Sequence, residues 1–122
     1  MDSELDLLLG TVVDSLTKLT LVLTLHEMAG GAESPEEIAT KVRESPEAVV
    51  RALSELADAG LVERFRLGTG RLTMYGPTED EHVRALLDLL RARYHGGPRS
   101  RGRMVRRILR VGAEPSEGAQ EY

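Results

Sequence analysis

Chemistry in this chain has to come from charge, because the reactive side chains are scarce. Its 122 residues include no cysteine, which excludes disulfides, thiolate metal sites and cysteine nucleophiles. The three histidines, His26, His82 and His95, fall in separate segments without a partner acid at ligand spacing. No metal site, cofactor or general base is therefore expected. Gly68 and Gly70 follow a strand-like stretch, but no Gly-Lys-Ser/Thr comes after them, so a phosphate loop is excluded. The expectation is a protein that binds rather than an enzyme.

The basic residues carry the signal. Fourteen of the sixteen are arginine, whose planar fork suits phosphate, although a GC-rich coding sequence would give the same bias. The net charge of −4 hides an asymmetry. Residues 1–60 hold four basic and twelve acidic groups; residues 61–122 hold twelve basic and eight acidic. Positions 91–110 contain eight arginines and no acid. The block Arg99–Arg110 reads as a basic helix on a partner subunit, an arm for nucleic acid or an acidic surface, or a membrane-surface helix. The last is disfavoured because no aromatic anchor is present.

The elements that must position these charges form one domain with an aliphatic core, since aromatics are only 3%. The longest apolar stretches near the start are seven residues, far short of the ~20 that span a bilayer. The first residues are acidic, with no visible secretory signal, and a cytoplasmic protein is expected. Leu5, Leu8, Leu9 and Val12 repeat at helical spacing; Gly10 weakens that helix, and Asp14 is a candidate cap for a second, mostly apolar one. Ser34-Pro35-Glu36-Glu37 is a capping box opening a short helix through Val42. Ser45-Pro46-Glu47 opens another to Ala59, with Val49, Leu53 and Leu56 inward. The three-residue turn between them makes a helix-turn-helix. Leu61–Arg66 and Arg71–Tyr75 alternate around a Gly-containing loop and predict a hairpin, and Tyr75-Gly76-Pro77 breaks the pattern. Thr78-Glu79-Asp80-Glu81 reads as a second capping box, followed by a helix to Tyr94 and a basic helix over 100–111. The fold expected is mainly α with a two-stranded β-wing: a winged helix-turn-helix flanked by N- and C-terminal helices. Its domain spans 1–97, with a basic arm or helix at 98–111 and a disordered acidic tail at 112–122.

The run SPEEIATKVRESPEAVVRALSELADAGLVERF resembles the core of bacterial winged helix-turn-helix transcription regulators of the broad MarR/ArsR/IclR-like group. The resemblance covers about residues 15–75. It implies a DNA-binding regulator, acting on double-stranded DNA, whose recognition helix is 46–59 and whose wing is 61–75, and the acidic character of that helix lowers the expected affinity to moderate. On that reading Arg51 contacts guanine, Glu47 accepts from cytosine, and Val50 touches a thymine methyl; Ser54 lies on the same outer side. Arg64, Arg66 and Arg71 on the wing face phosphate or the minor groove, and Lys41 and Arg43 at the end of the preceding helix are further phosphate contacts.

The chain departs from the group in its recognition helix, where one Arg stands against Glu47, Glu55 and Asp58. An acidic face of this kind suits the alternative, a winged-helix adaptor that holds another protein. Apolar surplus on the first helix (Leu5, Leu8, Leu9, Val12) and on the helix after the wing (Val83, Leu86, Leu87, Leu90) predicts a homodimer.

Overall fold

The computed structural model describes residues 3–28, 31–69 and 72–120, with side chains excepted at 3, 6 and 110–120. Six helices and one hairpin follow in order: α1 (Ser3–Thr11), α2 (Leu16–His26), α3 (Pro35–Val42), α4 (Pro46–Asp58), β1 (Val62–Leu67), β2 (Leu72–Pro77), α5 (Glu81–Tyr94) and α6 (Pro98–Gln120). This is the winged helix-turn-helix with flanking helices that the sequence predicts. The acidic tail expected at 112–122 falls on the last turns of α6 and beyond, where side chains lie outside the described residues.

Helix α2 is the centre of the molecule. Leu19, Leu21, Val22, Leu23 and Leu25 are all buried, so it is apolar nearly all round, as a helix enclosed by others must be. It packs on α4, α5, α6 and both strands. The α1 helix breaks at Leu9-Gly10, where Gly10 takes φ 100°, a conformation glycine adopts without Cβ strain. The cap of α2 is Ser15 and not Asp14: the Ser15 hydroxyl accepts from the Lys18 N–H at 3.1 Å. That leaves Asp14 free to meet the Lys18 side chain instead.

The hairpin pairs Val62 with Pro77 through Leu67 with Leu72. It continues through the Tyr75-Gly76-Pro77 stretch expected to break it, because Glu33 bridges Tyr75 with two backbone hydrogen bonds of 2.9 Å. This makes β2 the central member of a three-segment ladder. Close approach of that third segment explains Gly76: a Cβ there would lie 2.5 Å from the Gly31 carbonyl oxygen. Thr78 does not cap α5. Its hydroxyl accepts from the Asp80 N–H, and the Asp80 carboxylate caps the helix by accepting from Val83 N–H at 3.0 Å.

The apolar surplus of α1 and α5 is taken up inside one chain. Leu5, Leu9, Leu86, Leu87 and Leu90 are buried, and Leu8, Val12 and Val83 pack against the same core. The cover is α6, which lays Met104 and Ile108 (3% and 1% exposed) over α1 and α5. Exposed leucines on these helices are different ones: Leu7, Leu89 and Leu109.

The Gly76→Ala variant should lose about 1–3 kcal/mol of stability, the usual cost of forcing an atom into a packed site. Urea denaturation measures it; an unchanged midpoint would mean that the third segment is not held against β2.

Candidate nucleic-acid interface

The helix-turn-helix frame is built by local capping. Ser34 accepts from the Glu37 N–H while Glu37 accepts from the Ser34 N–H at 2.9 Å, and Pro35 occupies the first turn. Arg43 ends α3 in the left-handed region with φ 62°. This conformation is sparsely populated for a side chain with a Cβ, and here it makes the turn that aims α4. Ser45 then caps α4 through Ala48 N–H. Val49, Ala52, Leu53 and Leu56 face the core, leaving Pro46, Glu47, Val50 and Arg51 exposed.

The acidic character of α4 is largely cancelled by cations from the rest of the chain. Lys18 of α2, nine-tenths buried along its side chain, pairs with Glu55 and with Asp14 at 3.0 Å. Burial opposes its charge, but hydrogen bonds to Glu55 and then Asp14 outweigh that and raise its pKa above the usual 10.5. Arg64 of β1 holds Asp58 at 3.0 Å and donates to the Ser54 carbonyl at 3.1 Å. Hydrogen bonds to Asp58 and then Tyr75 raise its pKa as well. Glu47 and Arg51 therefore remain as the two charges of α4 without a partner among the described residues.

Arg64 is thus a clamp between wing and helix, and this differs from the free phosphate contact expected of it. Ser54 belongs to the same clamp. The cause is register: Arg64 and Arg66 share the strand face opposite Thr73 and Tyr75, and the inner of the two arginines reaches α4. Arg66 is exposed and has no partner among the described residues. Val50, Arg66 and Thr73 help to line a groove of about 520 Å³ between α4 and the wing. Lys41 is held by Glu33 at 2.8 Å, whereas Arg43 is exposed; Arg71 lies outside the described residues. Lys18 was missed in the sequence, although a lone cation inside an apolar run signals that carboxylates must come to meet it.

Each histidine does find an acid, from elsewhere in the fold. His26 meets Asp88 at 2.8 Å, His82 meets Glu4 at 2.7 Å, and His95 lies 3.7 Å from Glu27. These contacts fasten α5 to α1 and α2. Among the described residues no cluster of three or more potential ligands could hold a metal. Among them, too, no helix is long and apolar enough to cross a membrane.

The Lys18→Met variant should be less stable at neutral pH by roughly 1–2 kcal/mol, through loss of charge-assisted hydrogen bonds. Because the folded pKa is raised, this contribution is fully present below 10.5 and is lost as pH rises through the higher folded value. Melting curves of both proteins should converge above that pH; a gap that widens in alkali would contradict the pairing.

No family model matches the chain, and no curated protein matches it in sequence. Among solved structures, two mutant forms of ZitR from Lactococcus lactis, one of them in its apo form, are similar to it. They are 20% and 18% identical, align over 98% of this chain and 99% of theirs, and give TM-scores of 0.45 and 0.46. The winged-helix assignment rests on the element order and the hairpin rather than on this likeness.

Proposed function

We propose that the chain is a DNA-binding transcription regulator in which α4 enters the major groove and the wing follows the backbone. One observation carries the reading: Glu55 and Asp58 are paired with Lys18 and Arg64, which leaves the exposed first half of α4 to approach phosphate without strong repulsion. On it, Arg51 donates to guanine, Glu47 accepts from cytosine, and Val50 meets a thymine methyl. Arg43, Arg66 and Arg71 contact phosphate, and Lys41 joins them when its pair with Glu33 opens. Ser54 acts through Arg64, holding the wing at its angle to α4. With few cations available, affinity is moderate.

A homodimer would have to bury Leu7, Leu89 and Leu109, the exposed leucines of α1, α5 and α6, in place of the set expected from sequence. Sedimentation at micromolar concentration should give about twice 13.4 kDa; Leu7→Lys with Leu89→Lys should return it to monomer. A monomeric native chain would remove the two-fold arrangement of half-sites.

The second reading, a protein-binding adaptor, is favoured by the other face of the wing. There Phe65 pairs with Met74 and Leu67 with Leu72, and Phe65, Leu67 and Leu72 are exposed by 37%, 45% and 49%. Fluorescence anisotropy with duplexes selected from a random pool separates the two. The regulator predicts that Arg51→Ala costs about 1–3 kcal/mol on the preferred site and relaxes one base position. Arg66→Ala should weaken all sequences alike and lower the salt slope by about one. Absence of binding at low salt would favour the adaptor.

A further inference from the structure

Arg99, Arg103 and Arg106 recur along α6 at i, i+4 and i+7, which sets them one above the next on a single helix face. Met104 and Ile108, buried against α1 and α5, occupy roughly the opposite face. All three arginines are exposed, and none has a hydrogen bond or ion pair among the described residues. Their neighbours differ: Arg101 lies 5.0 Å from the Tyr94 ring centroid and donates to the Tyr94 carbonyl, and Arg107 reaches the Leu9 carbonyl. Three acids on the elements packed against α6 are engaged elsewhere. Glu4 is held by His82, Asp88 by His26, and Glu27 by Arg91. Among the described residues, the positive stripe therefore has no partner to neutralise it.

The stripe is separate from α4. Helix α6 packs on α1, α2 and α5, whereas α4 packs on α2, α3 and β1, so α2 stands between the two surfaces. We propose that Arg99, Arg103 and Arg106 form a second nucleic-acid contact, one that grips the phosphate backbone without reading sequence. Three guanidinium groups over about 10 Å of helix axis present a linear row of phosphate-fitting forks. Duplex DNA offers a matching row, with one charge per ~1.7 Å of its axis. A lipid surface fits less well, because the apolar face that a membrane-bound helix must insert is already buried on α1 and α5.

The test compares the full-length wild type, the triple variant Arg99→Gln/Arg103→Gln/Arg106→Gln, and Arg51→Ala. Each is titrated with random-sequence duplex across a salt series and with vesicles of equal parts phosphatidylcholine and phosphatidylserine. Glutamine keeps the helix and removes only charge, and circular dichroism verifies that the fold is unchanged. The triple variant should lose about two to three units of log–log salt slope and roughly tenfold or more in low-salt affinity, while Arg51→Ala keeps the wild-type slope within about one unit. A triple variant with the wild-type duplex slope would overturn the proposal and leave the α4 reading standing. Loss of vesicle binding in the triple variant with duplex binding intact would overturn it in favour of a lipid partner. An affected triple variant beside an unaffected Arg51→Ala sustains the stripe, while loss of salt slope in Arg51→Ala equal to that of the triple variant would overturn the separation of the two surfaces.

Discussion

Burial of α2 is the constraint on which the rest of the molecule depends. A helix with five aliphatics sealed from solvent between Leu19 and Leu25 has to be enclosed on most of its surface, and α4, α5, α6 and the hairpin supply that enclosure. Each buried aliphatic side chain contributes about 1.5–3 kcal/mol, so the enclosing elements cannot separate cheaply. The ionisable groups of α2 and its C-cap stand at its two ends, and each is tied outward. Lys18 meets Glu55 of α4; His26 and Glu27 meet Asp88 and Arg91 of α5. One helix thereby fixes where the helix-turn-helix sits relative to the C-terminal pair.

The tie at Lys18 also sets the electrostatics of the exposed surface. A carboxylate on a helix that must approach phosphate is repelled, and within a Debye length of ~8–10 Å salt does not remove the repulsion. Here the compensation comes from behind and beside: an ammonium under the helix and a guanidinium from the wing. Arg64 serves geometry and charge at once, since the bond that neutralises Asp58 also ties β1 to the Ser54 carbonyl. A partly exposed ion pair such as Arg64–Asp58 is worth little as stability, and the largely buried Lys18 adds only modestly more. These two matter because of what they do to the field around α4.

Much of the fold was legible in the sequence because its signals are local. The Ser34-Pro35-Glu36-Glu37 box and the Ser45-Pro46 start each act within four residues, and both appear in the structure; the hairpin forms too, although burial along β1 grades from buried Val62 to exposed Leu67 instead of alternating. What was not legible depends on contacts between distant segments. Leu86, Leu87 and Leu90 read as surplus because nothing in the sequence says that Met104 and Ile108 fold back over them. The histidines looked unpartnered because Asp88 and Glu4 stand 62 and 78 residues away from His26 and His82. The candidate site divides the same way. The outward placement of Glu47, Val50 and Arg51 follows from helical periodicity and their role from the resemblance, while the capture of Arg64 by Asp58 and Ser54 needs the angle between wing and helix.

The claim at the centre of this account is that the exposed first half of α4, with the acids of the second half neutralised, is the surface that meets DNA. Backbone amide shifts, followed by NMR as a duplex is added at low salt, test it residue by residue. The account predicts the largest changes at Glu47–Arg51 of α4 and around Arg66 of the wing, with the buried side of α2 quiet. Changes confined to Phe65–Leu67 and Leu72–Met74, or an α4 that stays unperturbed while the duplex is bound, would contradict it.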